Sequence, residues 1–362
     1  MKRNKLIGLL LAAGMVLTTA GCGTGYGGSS AAAPAAPASS AAQAAPEEVK
    51  AAEPKADAIK IKLANQFGAD HPQNLADLKF KELLESKSDG AFVVEVYANN
   101  QLGAAEVWND MLIKGTLEMG HPGGMMTQNY PLTATVECPY ILRDWAHVRK
   151  AFLETDIFDR MFADMPEKVG VRSLGMMPIG YRVVSSNKKI ESLDDFKGLR
   201  LRVPNIVQCV WFAEGVGANP ISMNMSEMFT ALEQGAVDAQ ENPYSTILAN
   251  KLYEVQKYIF DSKHMFTAHN WFINEKFWQS LTDDQRALIQ ECVDEATLYS
   301  FELAEQGEAD AIQELQDYGL EVTFPSDELR QQLIDSQAAT RESFFKEFEG
   351  SQPYIEEIMA IQ

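Results

Sequence analysis

GYRVVSSNKKIESLDDFKGLRLRVPNIVQCVWFAEGVGANPISMNMSEMFTALEQGAVDAQENP, residues 180–243, is the stretch that decides the fold. Three pieces of it, G-Y-R (180–182), G-L-R-L-R-V-P (198–204) and Q-E-N-P (240–243), each begin or end a short run that reads as a strand. Between them Ser192 caps a short helix closed by Gly198, and 206–217 is helical. Residues 220–224 are extended, and Ser226 opens a helix over 227–234 closed by Gly235. Residues 236–241 form the next strand, stopped by Asn242-Pro243. Open α/β sheets take ligands at the carboxyl ends of their strands. Arg202 and Asn242, each close before a proline, stand at such ends.

The flanking sequence repeats the alternation. Residues 58–66 alternate as a first strand, 74–88 are helical, Asp89-Gly90 turns the chain, and 92–98 form a second strand. Residues 104–114 are helical up to Gly115, 117–121 and 139–142 are short apolar pieces, and 145–162 reads as one helix. Such an order predicts right-handed βαβ units with helices on both faces of a sheet. Residues 171–179 and 181–185 are nearly continuous extended chain, long enough to run between two domains, and 265–274 is extended and aromatic. Thr282-Asp283-Asp284-Gln285 is a capping box for a helix that continues to about Tyr318, where Gly319 ends it. At 1.5 Å per residue this helix spans about 50 Å, which suits a tie across two domains; a kink near Gly307 is the alternative. Residues 320–324 form a last strand, and Ser326 caps a terminal helix.

With 362 residues, two domains are expected. The net charge of −20 argues against nucleic acid or an anionic membrane surface as partner. Loss of the first 21 residues removes Lys2, Arg3 and Lys5, giving −20 − 3 = −23. An acidic chain that binds an anion must build a local positive pocket, so arginines in strands are informative. Cys138, Cys209 and Cys292 sit among apolar residues without a C-x-x-C pair and read as buried free thiols.

Residues 1–5 are basic and 6–17 are apolar, too short to span a bilayer, and they run into T-A-G-C at 19–22. This pattern looks like a bacterial lipobox, which implies cleavage before Cys22 and lipid attachment to its sulfur, hence an extracytoplasmic, membrane-anchored protein. Residues 22–57 pass from Gly/Ser to Ala/Pro/Gln to Glu/Lys and read as a disordered tether. The G-x-G-x-x-G at 23–28 has no strand before it or helix after it, and is not a dinucleotide site.

H-P (71–72), Q-L-G (101–103), G-Y-R, G-L-R-L-R-V-P-N (198–205) and S-E-M-F-T-A-L-E-Q-G-A-V-D-A-Q-E-N-P (226–243) resemble the TRAP-transporter substrate-binding proteins of the DctP type. More loosely the resemblance covers residues 59–348. It implies two α/β domains with central mixed sheets, hinge strands and a long spanning helix, the periplasmic-binding-protein-like type II architecture. The implied boundaries are 58–179 with 268–307 for one domain and 180–267 with 308–362 for the other. It also implies a membrane permease of small and large subunits, driven by an ion gradient, and a binding protein expected to be a monomer.

Arg200 and Arg202 share a strand face, and only Arg202 lies at its carboxyl end. A guanidinium fork matches a carboxylate with two parallel hydrogen bonds, and the resemblance assigns the ligand-carboxylate contact to Arg202. It assigns a donor amide to Asn242 and a further ligand-facing guanidinium to Arg182. Asn65, Gln66 and His71 follow the first strand, where the resemblance places polar contacts to the far end of the ligand. Met225 stands where many relatives carry an aromatic ring, which leaves the ligand's identity open. Tyr181, Trp211, Tyr244 and Trp271 are pocket-wall or core aromatics, and His264 and His269 are core or wall rather than metal ligands.

No H-E-x-x-H, G-x-S-x-G, P-loop or Cys/His cluster is present, so neither a metal nor a cofactor is expected, nor an enzyme. The sequence predicts a binding protein for a small carboxylate, with a four-carbon dicarboxylate first and a uronate or sialic acid second. A sensor subunit with the same ligand and a secreted hydrolase are the competing classes.

Overall fold

A computed structural model describes residues 53–362. The expected leader at 1–21, Cys22 and the expected tether up to residue 52 lie outside the described residues. The last five residues of the segment expected to be a tether are laid against the body: the Lys55 amide donates to the Gly90 carbonyl at 3.0 Å. That approach needs a glycine, because a Cβ on Gly90 (φ +74) would lie 2.2 Å from the Glu53 carbonyl oxygen.

The first half of the chain supplies β1 (Ile59–Ala64), α1 (Pro72–Lys87), β2 (Phe92–Tyr97), α2 (Ala105–Lys114) and the short β3 (Met119–Gly120). Two 3-10 helices, Gly123–Gln128 and Pro131–Glu137, lead to α3 (Trp145–Leu153), α4 (Ile157–Met161) and α5 (Met165–Val169). The long β4 (Val171–Ser186) carries the chain into β5 (Arg200–Val203), α6 (Val207–Gly215), β6 (Asn219–Ser222), α7 (Met225–Glu233), β7 (Ala239–Pro243) and α8 (Tyr244–Ala249). The second long strand, β8 (Tyr258–Asn274), returns it to α9 (Glu275–Ser280) and α10 (Asp283–Asp317). Then follow β9 (Glu321–Thr323), α11 (Asp327–Ser336), α12 (Ala338–Glu347) and α13 (Ser351–Ala360).

The nine strands join in the order β2-β1-β3-β8-β4-β7-β5-β6, with β9 on β8. β4 and β8 run antiparallel along nearly their whole length and form the spine. Near one end of the spine, β3 pairs β8 at Gly120↔Phe272 and brings the parallel pair β1/β2 with it. Towards the other end, β7 pairs β4 over Arg182–Ser186 and brings the parallel β5 and β6. The spine's register shifts between Pro178 and Gly180 and between Arg182 and Val184, and Gly180 has φ +136, a conformation L side chains rarely adopt.

Helices cover both faces at each end, so there are four apolar clusters. Alternation along the strands separates them: Val183 packs with Met228, Leu232 and Leu315, while Val184 packs with Leu201, Val203 and Phe212. Helix α10 is continuous over 35 residues through Gly307. It contributes Ile289 and Val293 to the cluster under β1 and Ala311 and Leu315 to the cluster under β7. Helix α13 returns to the first end, where Arg160 on α4 pairs with Glu357 at 2.6 Å. Cys138, Cys209 and Cys292 are buried free thiols.

Several boundaries differ from expectation. The helix over 145–162 is two helices; between them the Thr155 hydroxyl donates to the Ala151 carbonyl at 2.7 Å and accepts from the Ile157 amide at 3.4 Å, bridging the end of α3 and the start of α4. Asn224, not Ser226, caps α7, in a reciprocal box with Glu227. Strand β7 does not stop before Asn242 but includes it and Pro243; the proline is the last residue, opposite Arg182, where its missing N–H costs no interior ladder bond. The single terminal helix is three, broken at Gln337 and at Gly350 (φ +86). Among the described residues no helix is long and apolar enough to cross a membrane.

Candidate ligand-binding site

A cleft of about 320 Å³ opens where β5, β7 and the spine meet the loop after β1 and the first 3-10 helix. Of the residues that the sequence offers for ligand contact, Gln66, Arg182, Arg202, Met225 and Asn242 line it. Asn65, His71 and Tyr244 do not.

Strand alternation puts Leu201 and Val203 into the core and leaves Arg202 on the cleft side, buried at 1% exposure. Its Nη2 donates to the Met223 carbonyl at 2.7 Å, and its Nε and Nη1 have no partner. A buried guanidinium with two idle N–H groups is costly unless something meets them. Burial pulls its pKa down to about 10, with Glu241 opposing and Arg182 adding to the fall, so it remains charged at neutral pH. Arg200, two residues earlier, is exposed and paired with Asp238 at 2.8 Å.

Arg182 differs from the free guanidinium the sequence suggests. Its Nε and Nη2 grip the Glu241 carboxylate, Nη1 donates to Thr267 Oγ1 at 3.2 Å, and Nη2 also reaches Asn242 Oδ1 at 3.3 Å. Burial alone would push the Glu241 carboxyl up, but Arg182 and a bond from His264 Nε2 at 3.2 Å more than offset it, and it is held at about 2. The Asn242 amide is also engaged, donating to Gln240 Oε1 at 2.6 Å.

The three outlying candidates have structural roles. Asn65 is buried, donating to Asp77 at 2.7 Å and accepting from the Phe67 amide at 2.8 Å. His71 caps α1 by accepting from the Gln73 amide at 3.1 Å, and its ring stacks on Phe67 at 3.7 Å. The Tyr244 hydroxyl donates to Asp261 at 2.8 Å, away from the cleft. Tyr181, Trp211 and Trp271 pack in the apolar clusters.

The sequence reading missed Glu137, Thr246 and Thr267, all on the cleft wall, and left His269 between core and wall. Glu137 ends the second 3-10 helix at 5% exposure, and its Oε2 has no partner. Its signal was available: an acidic residue inside the apolar run A-T-V-E-C-P-Y must be paired, neutral or waiting for a partner. Burial pushes its pKa up to about 7, with Arg182 pulling it back and Glu241 adding to the rise.

Comparison with known proteins agrees with this architecture. Residues 63–347 match the family model DctP, bacterial extracellular solute-binding protein family 7. A TRAP periplasmic solute-binding protein from Haemophilus influenzae with bound L-gulonate is 34% identical and superposes with a TM-score of 0.78, covering 83% of this chain and 98% of that one. The sialic acid-binding periplasmic protein SiaP of Vibrio cholerae is 30% identical over 84% of this chain and 93% of its own. The C4-dicarboxylate-binding periplasmic protein DctP of Rhodobacter capsulatus is 30% identical over 73% of this chain and 79% of its own. Members of the family are periplasmic, have the two-domain type II fold, and work with membrane permease subunits. With Arg202 and Asn242 on the cleft wall and the spanning helix continuous, the chain belongs to the DctP family of TRAP-transporter solute-binding proteins.

Proposed function

We propose that this protein captures a small organic-acid anion in the cleft and hands it to a TRAP permease with small and large membrane subunits. The observation that carries the reading is Arg202, whose Nε and Nη1 are buried without partners in the cleft wall. A carboxylate set against Nε or Nη1 together with the second hydrogen of Nη2 accepts two parallel charge-assisted hydrogen bonds and restores part of what burial removed. Asn242 adds a donor if its amide exchanges Gln240 for the ligand. Arg182, compensated by Glu241, holds Thr267 and Asn242 in place.

The spine strands β4 and β8 are the hinge, and closure of the two lobes is driven by the ligand's greater affinity for the closed form. One lobe then comprises residues 58–179 with 268–307, and the other residues 180–267 with 308–362. Relatives bind L-gulonate, sialic acid or C4-dicarboxylates. One observation favours a sugar acid over a dicarboxylate. The charged residues of the cleft wall are Arg182, Arg202, Glu106 and Glu137, and Arg182 is spent on Glu241. A second ligand carboxylate would find no free guanidinium.

We also propose that Cys22 carries the lipid that anchors a monomeric protein outside the cytoplasm; Cys22→Ala should move it from the membrane to the soluble fraction. The function itself is tested by thermal-shift screening of organic acids against the purified protein. Stabilisation by at least one carboxylate, and by no neutral sugar, is the expected outcome; no response to any carboxylate contradicts it. Proton- or sodium-driven uptake of that acid, dependent on this chain, separates transport from a sensor role.

A further inference from the structure

We infer that Glu137 and His269 form a pair of hydrogen-bond acceptors that selects a ligand bearing hydroxyl groups and rejects one bearing a second carboxylate. The inference rests on the carboxylate-capture reading above.

Both side chains line the cleft that contains Arg202, and both are buried. Glu137 Oε2 has no partner. His269 Nδ1 lies 2.7 Å from Gln73 Oε1; with that carbonyl oxygen as the accepting atom, Nδ1 holds the ring proton and Nε2 is the acceptor. Burial pulls the His269 pKa down to about 3, with His121, His71 and Arg182 adding to the fall. The ring is therefore neutral, and Nε2 presents a lone pair that no described residue meets.

Gly123 and Gly124 keep both acceptors uncovered. A Cβ on Gly123 (φ +54) would lie 2.5 Å from His269 Nε2, and one on Gly124 would lie 3.3 Å from Glu137 Oε2 and 2.7 Å from Ile206 Cδ1. A Cβ at Gly123 would crowd the His269 ring, and one at Gly124 would displace the Ile206 side chain and press on Glu137. With Thr246 and Thr267 hydroxyls on the same wall, the cleft has a cationic end at Arg202 and an acceptor surface elsewhere. A polyhydroxylated monocarboxylate supplies one carboxylate for the first and O–H donors for the second. A dicarboxylate would bring a second carboxyl group against Glu137, whose own pKa burial pushes up to about 7, and two carboxylates sharing that site cannot both stay charged. Sites built to hydrogen-bond a hydroxyl reject the analogue lacking it, because their polar groups are then buried unpaired.

The test is isothermal titration of the purified protein with D-gluconate, D-galactonate and L-gulonate, against succinate and hexanoate. The best aldonate should bind at least about 100-fold more tightly than succinate or hexanoate. Glu137→Gln should weaken that aldonate by at least about tenfold while leaving hexanoate within about threefold, and His269→Phe should act in the same direction. If succinate or hexanoate binds the unmodified protein as tightly as every aldonate, the inference is overturned even if both variants misfold. An aldonate preference unchanged in folded Glu137→Gln also overturns it. Arg202→Ala separates the two levels: carboxylates that bind through Arg202 without preference for hydroxyls sink only this inference, whereas no binding of any carboxylate sinks the capture reading with it.

Discussion

The Arg182 guanidinium and the Glu241 carboxylate neutralise each other between adjacent strands β4 and β7, both buried. This pair decides which arginine of the cleft is available. Removing one partner of a buried ion pair strands the other charge, at a cost of roughly 3–5 kcal/mol. Arg182→Met should therefore destabilise the protein by that amount in urea unfolding, and adding Glu241→Gln should recover most of it. A loss below about 1 kcal/mol for the single variant would mean that the pair does not hold the two strands.

Arg202 should behave in the opposite way. Its charge is buried with a single hydrogen bond, to the Met223 carbonyl. Replacing it with methionine removes an uncompensated desolvation cost, so the ligand-free protein should keep its stability or gain up to about 2 kcal/mol. Ligand-induced stabilisation should vanish in the same variant. Thermal unfolding without ligand checks this, and a clear fall in Tm would show that the guanidinium has a structural partner.

Glu137 sets a pH dependence whose sign is fixed by its position. Its folded pKa, about 7, lies above the ordinary carboxyl value of 4.5. The protonated form is thus the one favoured by folding, and its stabilisation is complete below about pH 4.5 and lost as pH rises through 7. A shift of this size corresponds to roughly 3 kcal/mol. Glu241, held at about 2, acts only below pH 4.5, and the buried His71 and His269, at about 3, contribute equally to wild type and variant. The stability of wild type relative to Glu137→Gln should therefore fall between pH 4.5 and pH 7.5. A flat difference would place Glu137 in a solvated environment.

Much of this fold is legible in local sequence. The Thr282–Gln285 box, Gly115 in the left-handed conformation and the alternation of Leu201 and Val203 with Arg200 and Arg202 all report on interactions a few residues apart. The end of α3 is not, because only the three-dimensional geometry shows the Thr155 hydroxyl donating back to the Ala151 carbonyl while accepting from the Ile157 amide. Nor is the occupation of Arg182, whose partner is 59 residues away on another strand. Tyr244 follows Q-E-N-P at the edge of the site, yet β7 runs straight into α8 and aims the ring at Asp261. The position of Arg202 on the cleft wall is legible because a strand end is a local feature; that of Glu137 is not, because it reaches the cleft through a 3-10 helix that lies close to Gly124.

In the proposed mode of capture Arg202, and not Arg200, receives the ligand's carboxylate. Titration of the best-binding organic acid into the unmodified protein, Arg202→Ala and Arg200→Ala tests it directly. Arg202→Ala should lose on the order of 2–5 kcal/mol of binding. Arg200→Ala, which breaks only an exposed pair with Asp238, should bind like the unmodified protein. Equal affinity in all three, or a loss confined to Arg200→Ala, would rule out Arg202 as the carboxylate's partner.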